Sequence, residues 1–320
     1  NLNITGTFTN NGTADINIKQ GVVNLGNITN GGELNITTHA QNKQRSVING
    51  DIINKKGGLN IKDDNNNAEI QIGGNISQKE GNLTISSDKV NITKRITIQA
   101  GVEGSESDSG TKSDANLTIK TKELKLVEDL NISGFNKAEI TAKNGSDLTI
   151  GETNSGDANT KKVTFNNVKN SEISANGHNV TLNSEVETSN GGSNAGNDGN
   201  DNSTVLTISA KDVTVNNNVT SHKTINISAE AGNVTTKEGT TINTAKGSVE
   251  VTAKTGRING NIEATKGAVT VTANSGALNV ANITSKTATL TAESGKLTTQ
   301  AGSTINGTES VTTSSQSGDI

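Results

Sequence analysis

Seventeen asparagines head N-x-S/T triplets, the pattern whose side-chain amide can accept a sugar: Asn3, Asn11, Asn27, Asn35, Asn75, Asn82, Asn91, Asn116, Asn131, Asn144, Asn179, Asn202, Asn218, Asn226, Asn233, Asn282 and Asn306. Composition produces part of this. Asparagine is roughly 15% of the chain and serine plus threonine roughly 23%, so about 11 triplets would arise at random. Strand geometry supplies a further reason. In "NIT" or "NLT" the middle apolar residue turns inward, which leaves Asn and Thr facing water and the acceptor amide accessible.

Other reactive side chains are sparse. His39, His178 and His222 lie far apart in polar stretches, and no pair has the spacing of metal ligands. "DGNDNS" at 198–203 opens like a calcium loop, but Ser203 and Ser209 stand where a glycine and a glutamate are required. No metal or other cofactor is expected. A glycosidase would need two carboxylates about 5–10 Å apart over a sugar cleft. Stacked repeats could supply such a pair, yet the acidic residues concentrate in irregular stretches, and there is no Trp or Tyr to form a sugar platform. A polysaccharide-degrading enzyme is therefore only a rival reading, and the chain is expected not to be an enzyme. Nucleic acid is not an expected partner, because the lysines are dispersed, net charge is −4 and aromatic residues are almost missing. No apolar run approaches the ~18 residues of a membrane span, so no membrane insertion is expected.

Repetition must position what chemistry there is. "GNITNGGELNIT" (Gly26–Thr37) is echoed by "GDIINKKGGLNI" (Gly50–Ile61) and "GNISQKEGNLTI" (Gly74–Ile85). Further on, "GSVEVTAKTGRINGNIEATK" from Gly247 is followed by "GAVTVTANSGALNVANITSK" from Gly267 and "TATLTAESGKLTTQAGSTIN" from Thr287. Within these units Val251, Val271 and Leu290 are expected at one equivalent position, and Ile258, Leu278 and Leu297 at another. Short alternating triplets such as Leu34–Ile36 and Leu83–Ile85, bounded by Gly, Asn, Asp and Ser, read as strands. A repeat of 19 to 25 residues made only of short strands and turns is one coil of a parallel β-helix. The absence of proline suits continuous parallel pairing. The absence of cysteine excludes a disulfide framework.

The expected fold is therefore all-β: a right-handed, single-stranded parallel β-helix of about 14 coils. Residues 1–320 form one continuous segment of a longer protein, with amide ladders along outward columns such as Asn17, Asn35 and Asn60. Four stretches lack apolar periodicity and are expected as extruded loops: 38–46, 101–115, 151–162 and 189–203. Insertions of this kind gather on one face of a repeat protein and often carry function. Arg45, beside the first loop, is the candidate cation for a carboxylated ligand.

The tandem "LNI", "GNIT", "LTI" and "GAVTVTANSGALN" units resemble the repeats of the large exoproteins of two-partner secretion, the group that includes filamentous haemagglutinin. They are most similar to the high-molecular-weight non-pilus adhesins, whose composition shares the excess of Asn, Thr and Gly. The resemblance covers essentially the whole chain. It implies a secreted, surface-associated right-handed β-helix exported through an outer-membrane two-partner transporter. It also implies attachment to host epithelial cells, and the expected partners are host-cell surface glycans or glycoproteins, sialylated glycans among them. Finally, it implies simple hexoses added to the seventeen asparagines by a cytoplasmic N-glycosyltransferase. The chain departs from the family in lacking the proline-containing motifs of the N-terminal secretion domain, and it has no Arg-Gly-Asp tripeptide. An interior piece is expected, either the receptor-binding region or a passive rigid stalk.

Overall fold

Leu34, Leu59, Leu83 and Leu117 stand one above another in parallel register, each fully buried. Two residues along the same strands, Ile36, Ile61, Ile85 and Ile119 form a second column. The computed structural model describes residues 1–41, 44–101, 114–152, 161–189 and 205–316. Among these residues every regular element is a strand, and no helix is long and apolar enough to cross a membrane. Alternation explains the pattern. In Leu59–Asp63 the odd members are buried and the intervening ones are half-buried or exposed, so one short triplet supplies two inward aliphatic groups per pass.

The chain passes over three sheet faces in each early coil. Face 1 contains Leu34–Thr38, Leu59–Asp63, Leu83–Ser86 and Asn116–Thr121. Face 2 contains Arg45–Ile48, Glu69–Ile72, Lys89–Ile92 and Glu123–Leu126. Face 3 contains Ile52–Asn54, Ile76–Gln78, Ile96–Ala100 and Leu130–Ser133. In the C-terminal part the corners straighten, and single strands such as Thr224–Thr236 and Asn261–Ala273 run from one face to the next. Apart from one antiparallel bridge between Gly21 and His39, pairing among the described residues is parallel.

The solenoid makes about 12 turns, fewer than the 14 expected. The difference lies in the middle of the chain, where successive coils carry insertions. Asn82 and Asn116 occupy neighbouring coils although they are 34 residues apart. At a rung spacing of about 4.8 Å the body is about 60 Å long.

The recurring glycines have a steric cause. A Cβ on Gly50 would collide with the Gly26 backbone, and one on Gly74 with that of Gly50. Backbones stack there too closely for any side chain. The C-terminal repeat shows a related compensation and corrects one expectation. Leu278 stacks on Leu297, but it lies over Gly256, while Ile258 lies under Val280. Glycine leaves the space that the Leu278 side chain fills.

Amide stacking takes two forms. Outside, Asn60 Nδ2 donates to Asn35 Oδ1 at 2.8 Å. Asn17 does not join this ladder, because its register partner is Thr37 and Asp15 is the residue opposite Asn35. Inside, a ladder that the apolar triplets did not announce runs down face 3. Asn10 donates to Asn30 (2.7 Å), Asn30 to Asn54 (2.9 Å) and Asn54 to Gln78 (3.1 Å), the last three being fully buried. Each amide is both donor and acceptor, so the column satisfies itself where water is excluded.

The four irregular stretches are shared among three corners. Residues 38–46 join face 1 to face 2, and 151–162 join face 2 to face 3. Residues 101–115 and 189–203 join face 3 to face 1. They do not gather on one face. Their expected bounds also run too far. Thr38 closes a strand, Arg45 and Ser46 open one, Lys162 opens one and Ser189 closes one. Thr38 and Ser46 are buried despite their polarity, because Thr38 Oγ1 donates to Asp63 Oδ2 (2.8 Å) and accepts from Ser46 Oγ (3.1 Å). Ala115 is also buried. The centres of the last three stretches, 102–113, 153–160 and 190–204, lie outside the described residues, as do Asn42 and Lys43 in the first.

Candidate functional site

The seventeen sequon asparagines fall into distinct environments. Asn3, Asn11, Asn27, Asn75, Asn82, Asn144, Asn218, Asn233, Asn282 and Asn306 are exposed. Asn35, Asn116, Asn131, Asn179 and Asn226 are half-buried, and Asn202 lies outside the described residues, as does "DGNDNS". Asn91 is 6% exposed, and its Nδ2 donates to Glu69 Oε1 at 3.0 Å. Several exposed members have a structural task. Asn27 Oδ1 accepts the backbone N–H of Asp51, Asn75 Oδ1 that of Thr97, Asn82 Oδ1 that of Asn116 and Asn218 Oδ1 that of Thr241, all at 2.9–3.0 Å. The side-chain carbonyl thus splices one coil to the next at a corner. No hydrogen bond among the described residues engages the Nδ2 of these four.

The histidines stay apart. His39 Nδ1 meets Ile18 O at 3.0 Å, His178 Nδ1 lies 3.8 Å from Asp147 Oδ1, and the His222 backbone N–H donates to Thr188 Oγ1. Among the described residues no group of three or more His, Cys, Asp or Glu is placed to hold a metal.

Arg45 is exposed at the start of a face 2 strand, where the register sets it opposite Glu69. The column continues with Lys89 and Glu123, which form an ion pair at 2.9 Å. Burial pushes the Glu69 carboxyl up. Hydrogen bonds from Asn91 and Gln71 and the charges of Arg45 and Lys89 outweigh burial and hold it below its ordinary value of 4.5. Arg45 is thus one member of an alternating charge ladder. It is not brought to either of the open cavities described next.

Two open cavities are formed by described residues of the solenoid. One, of about 650 Å³, is bounded by Lys122, Glu123, Ser146, Asp147, Thr149, Gly151 and Glu152 at the start of an insertion. The other, about 780 Å³, opens on face 1 and draws its lining from four successive rungs: Glu139 and Thr141, Glu172 and Ser174, Ser209 with Ala210, and Ser228. Asn176, Gly177, Lys211 and Ala231, at the turns into face 2, form its side wall. Strand alternation builds the floor. In "ITA" (Ile140–Ala142) and the three "ISA" triplets at Ile173, Ile208 and Ile227, isoleucine points inward and the hydroxyl outward. Ser174 Oγ donates to Thr141 Oγ1 at 3.1 Å, so neighbouring hydroxyls are already in contact along the axis.

Glu139 and Glu172 are direct register partners, and one cation serves both. Lys137 Nζ lies 2.7 Å from Glu172 Oε2 and 3.7 Å from Glu139 Oε2. The hydrogen bond to Glu172 raises the Lys137 pKa above its ordinary value, against a lowering by burial and with help from both negative charges. Both carboxylates thus lean on a single ammonium at the edge of the cavity.

A third cluster is interior. Lys143 (4% exposed) donates to Asp63 O at 2.8 Å and lies 3.4 Å from Asp88 Oδ1; Asp88 is 6% exposed. Asp88 Oδ2 also accepts from Lys122 Nζ and from the Asn67 backbone N–H, both at 2.8 Å. Burial pushes Asp88 up, but these bonds and the Lys143 charge prevail and hold it below its ordinary 3.8. The cluster pins the corner between faces 1 and 2 over several coils.

The apolar triplets carry no sign of the face 1 cavity. The repeated "ISA" is the signal that could have found it, because identical triplets in register must align their middle residues. Comparison of the chain with protein-family models, with curated proteins and with solved structures gave no match.

Proposed function

We propose that this chain is a segment of a bacterial surface adhesin that attaches to host epithelial cells by holding cell-surface glycans, without cleaving them. The observation that supports it best is the face 1 cavity, whose hydroxyls, carboxylates, amide and single wall ammonium, Lys211, match a ligand dense in hydroxyl groups. The shared Lys137 counter-ion speaks against the polysaccharide-degrading alternative. Right-handed winding belongs to the same proposal and rests on the chirality of parallel crossovers; export through an outer-membrane two-partner transporter, residence at the cell surface and hexose addition by a cytoplasmic N-glycosyltransferase rest on the resemblance of the repeats. A sialylated ligand would rely on Lys211 in this cavity, since Arg45 lies on another face beside Glu69.

One observation favours a second reading, a passive stalk. From Val249 to Ser315 the strands carry no insertion and stack with nearly constant register, as suits a spacer. A glycan array and an epithelial-cell attachment assay with the 320-residue chain decide between them. Attachment with no released reducing ends supports the adhesin. Failure to bind cells and every arrayed glycan leaves the stalk, and release of reducing ends restores the enzyme.

A further inference from the structure

The face 1 cavity is the mouth of a longer feature. The outward column that begins with Thr141, Ser174, Ser209 and Ser228 continues in register through Thr252, Thr272, Thr291 and Ser314. Hydroxyl follows hydroxyl on eight consecutive rungs, all partly exposed except Ser174, which is 9% exposed. Two residues earlier on the same strands runs a parallel column in which Thr207, Thr270, Thr289 and Thr312 share the eight positions with Glu139, Glu172, Asn226 and Glu250. The lining of the cavity crosses four rungs, so a ligand laid along the solenoid axis meets all of them.

Resting on the adhesin reading above, we infer that this face takes a linear, uncharged, β-linked glycan laid along the axis, with about one sugar per rung. Three properties select that ligand. The rung spacing of about 4.8 Å lies near the rise of one residue in an extended chain of equatorially linked pyranoses, so over the four rungs of the cavity hydroxyl can meet hydroxyl repeatedly. The charges disfavour a polyanion. Glu139, Glu172 and Glu250 lie along the path, and Lys137 is committed to the first two, so a sulfated or uronate chain would meet acceptor carboxylates. Thr141, Thr252, Thr272 and Thr291 each supply a methyl beside the hydroxyl, giving the C–H edges of the sugar an apolar contact in a chain with no Trp or Tyr.

The probe is β-1,4-linked N-acetylglucosamine oligomers of two, four and six residues, titrated calorimetrically into the whole chain. Affinity is expected to rise with each pair of sugars, since each reaches further rungs. In the triple variant Ser174→Ala, Ser209→Ala, Ser228→Ala the hexamer should bind at least tenfold more weakly. Each lost neutral hydrogen bond is worth about 3- to 10-fold. The substituted side chains point outward, so an unchanged thermal melt verifies that the fold persists. Affinity independent of length, no binding of the hexamer, or an unaffected triple variant would each overturn the inference. If the array shows branched or sialylated glycans bound while the linear oligomers are ignored, this inference falls and the adhesin reading stands. If neither cells nor any glycan are bound, both fall.

Discussion

The buried cluster of Lys143, Asp88 and Asp63 offers an asymmetric test of how the interior tolerates charge. Consider Asp88→Leu. It leaves the Lys143 ammonium, 4% exposed, with only the Asp63 carbonyl at 2.8 Å. Lys122, 41% exposed, simply turns to water. Stranding a buried charge in this way costs about 3–5 kcal/mol. Lys143→Met, in contrast, leaves Asp88 with both the Lys122 ammonium and the Asn67 N–H at 2.8 Å. What is lost is one charged hydrogen bond to the Asp63 carbonyl, about 1.5–3 kcal/mol, together with the 3.4 Å pairing to an Asp88 that keeps its other partners.

The double variant removes both charges. It should cost less than the sum of the two, with a coupling of about 1–3 kcal/mol. Urea unfolding with the slope held common measures all three. The pH dependence carries a sign. The folded pKa of Asp88 is depressed below 3.8, so its contribution is fully present above that value and is lost as pH falls through the depressed pKa. The gap between native chain and Asp88→Leu should therefore close on acidification below about pH 4. A Lys143→Met variant less stable than Asp88→Leu, or a double variant costing the full sum, would refute the reasoning.

Three shorter predictions share its logic. Asn54→Asp in the interior amide ladder sets a second acceptor against the Lys56 and Gly57 carbonyls and the Gln78 Oε1. It should lower stability by about 2 kcal/mol or more and by more than Asn54→Ser, as read from thermal melts. Gly50→Ala forces a methyl into the Gly26 backbone and should cost about 1–3 kcal/mol, whereas Gly12→Ala, which meets nothing, should be close to neutral. If the native protein carries hexoses, peptide mapping should find them at Asn27, Asn75, Asn82 and Asn218, whose Nδ2 is unengaged, and not at buried Asn91. An occupied Asn91 would mean that modification precedes coiling.

Much of the architecture was legible because one physical rule generates it. Leu34, Leu59 and Leu83 recur at nearly constant spacing, since stacking identical rungs is the only way for so lean a chain to bury them. What the triplets could not show was register across irregular corners. Asn17 looks equivalent to Asn35 in sequence, yet turn length decides its partner and sets it against Thr37. The coil count failed for the same reason, because an insertion adds residues without adding height. Polar strand ends were missed as well. Thr38 and Ser46 carry no apolar signal, but they pair with each other and Asp63 indoors.

The site was less legible than the fold, and the reason is one of direction. Every signal found first runs along the chain: an amide two residues from a threonine, a calcium-like run of acids, an arginine beside a gap. A solenoid gathers its surface along the perpendicular direction, where neighbours are 19 to 35 residues apart (Ser209 to Ser228 at one extreme, Ser174 to Ser209 at the other). A hydroxyl that is unremarkable in "EISA" becomes part of a track only when "TISA" and "NISA" are laid over it. The same displacement makes Glu139 and Glu172 a pair and gives them one lysine to share. In such a chain a ligand's shape is best sought in what successive repeats hold in common at one outward position, because that column, and not any local motif, is the surface a long partner meets.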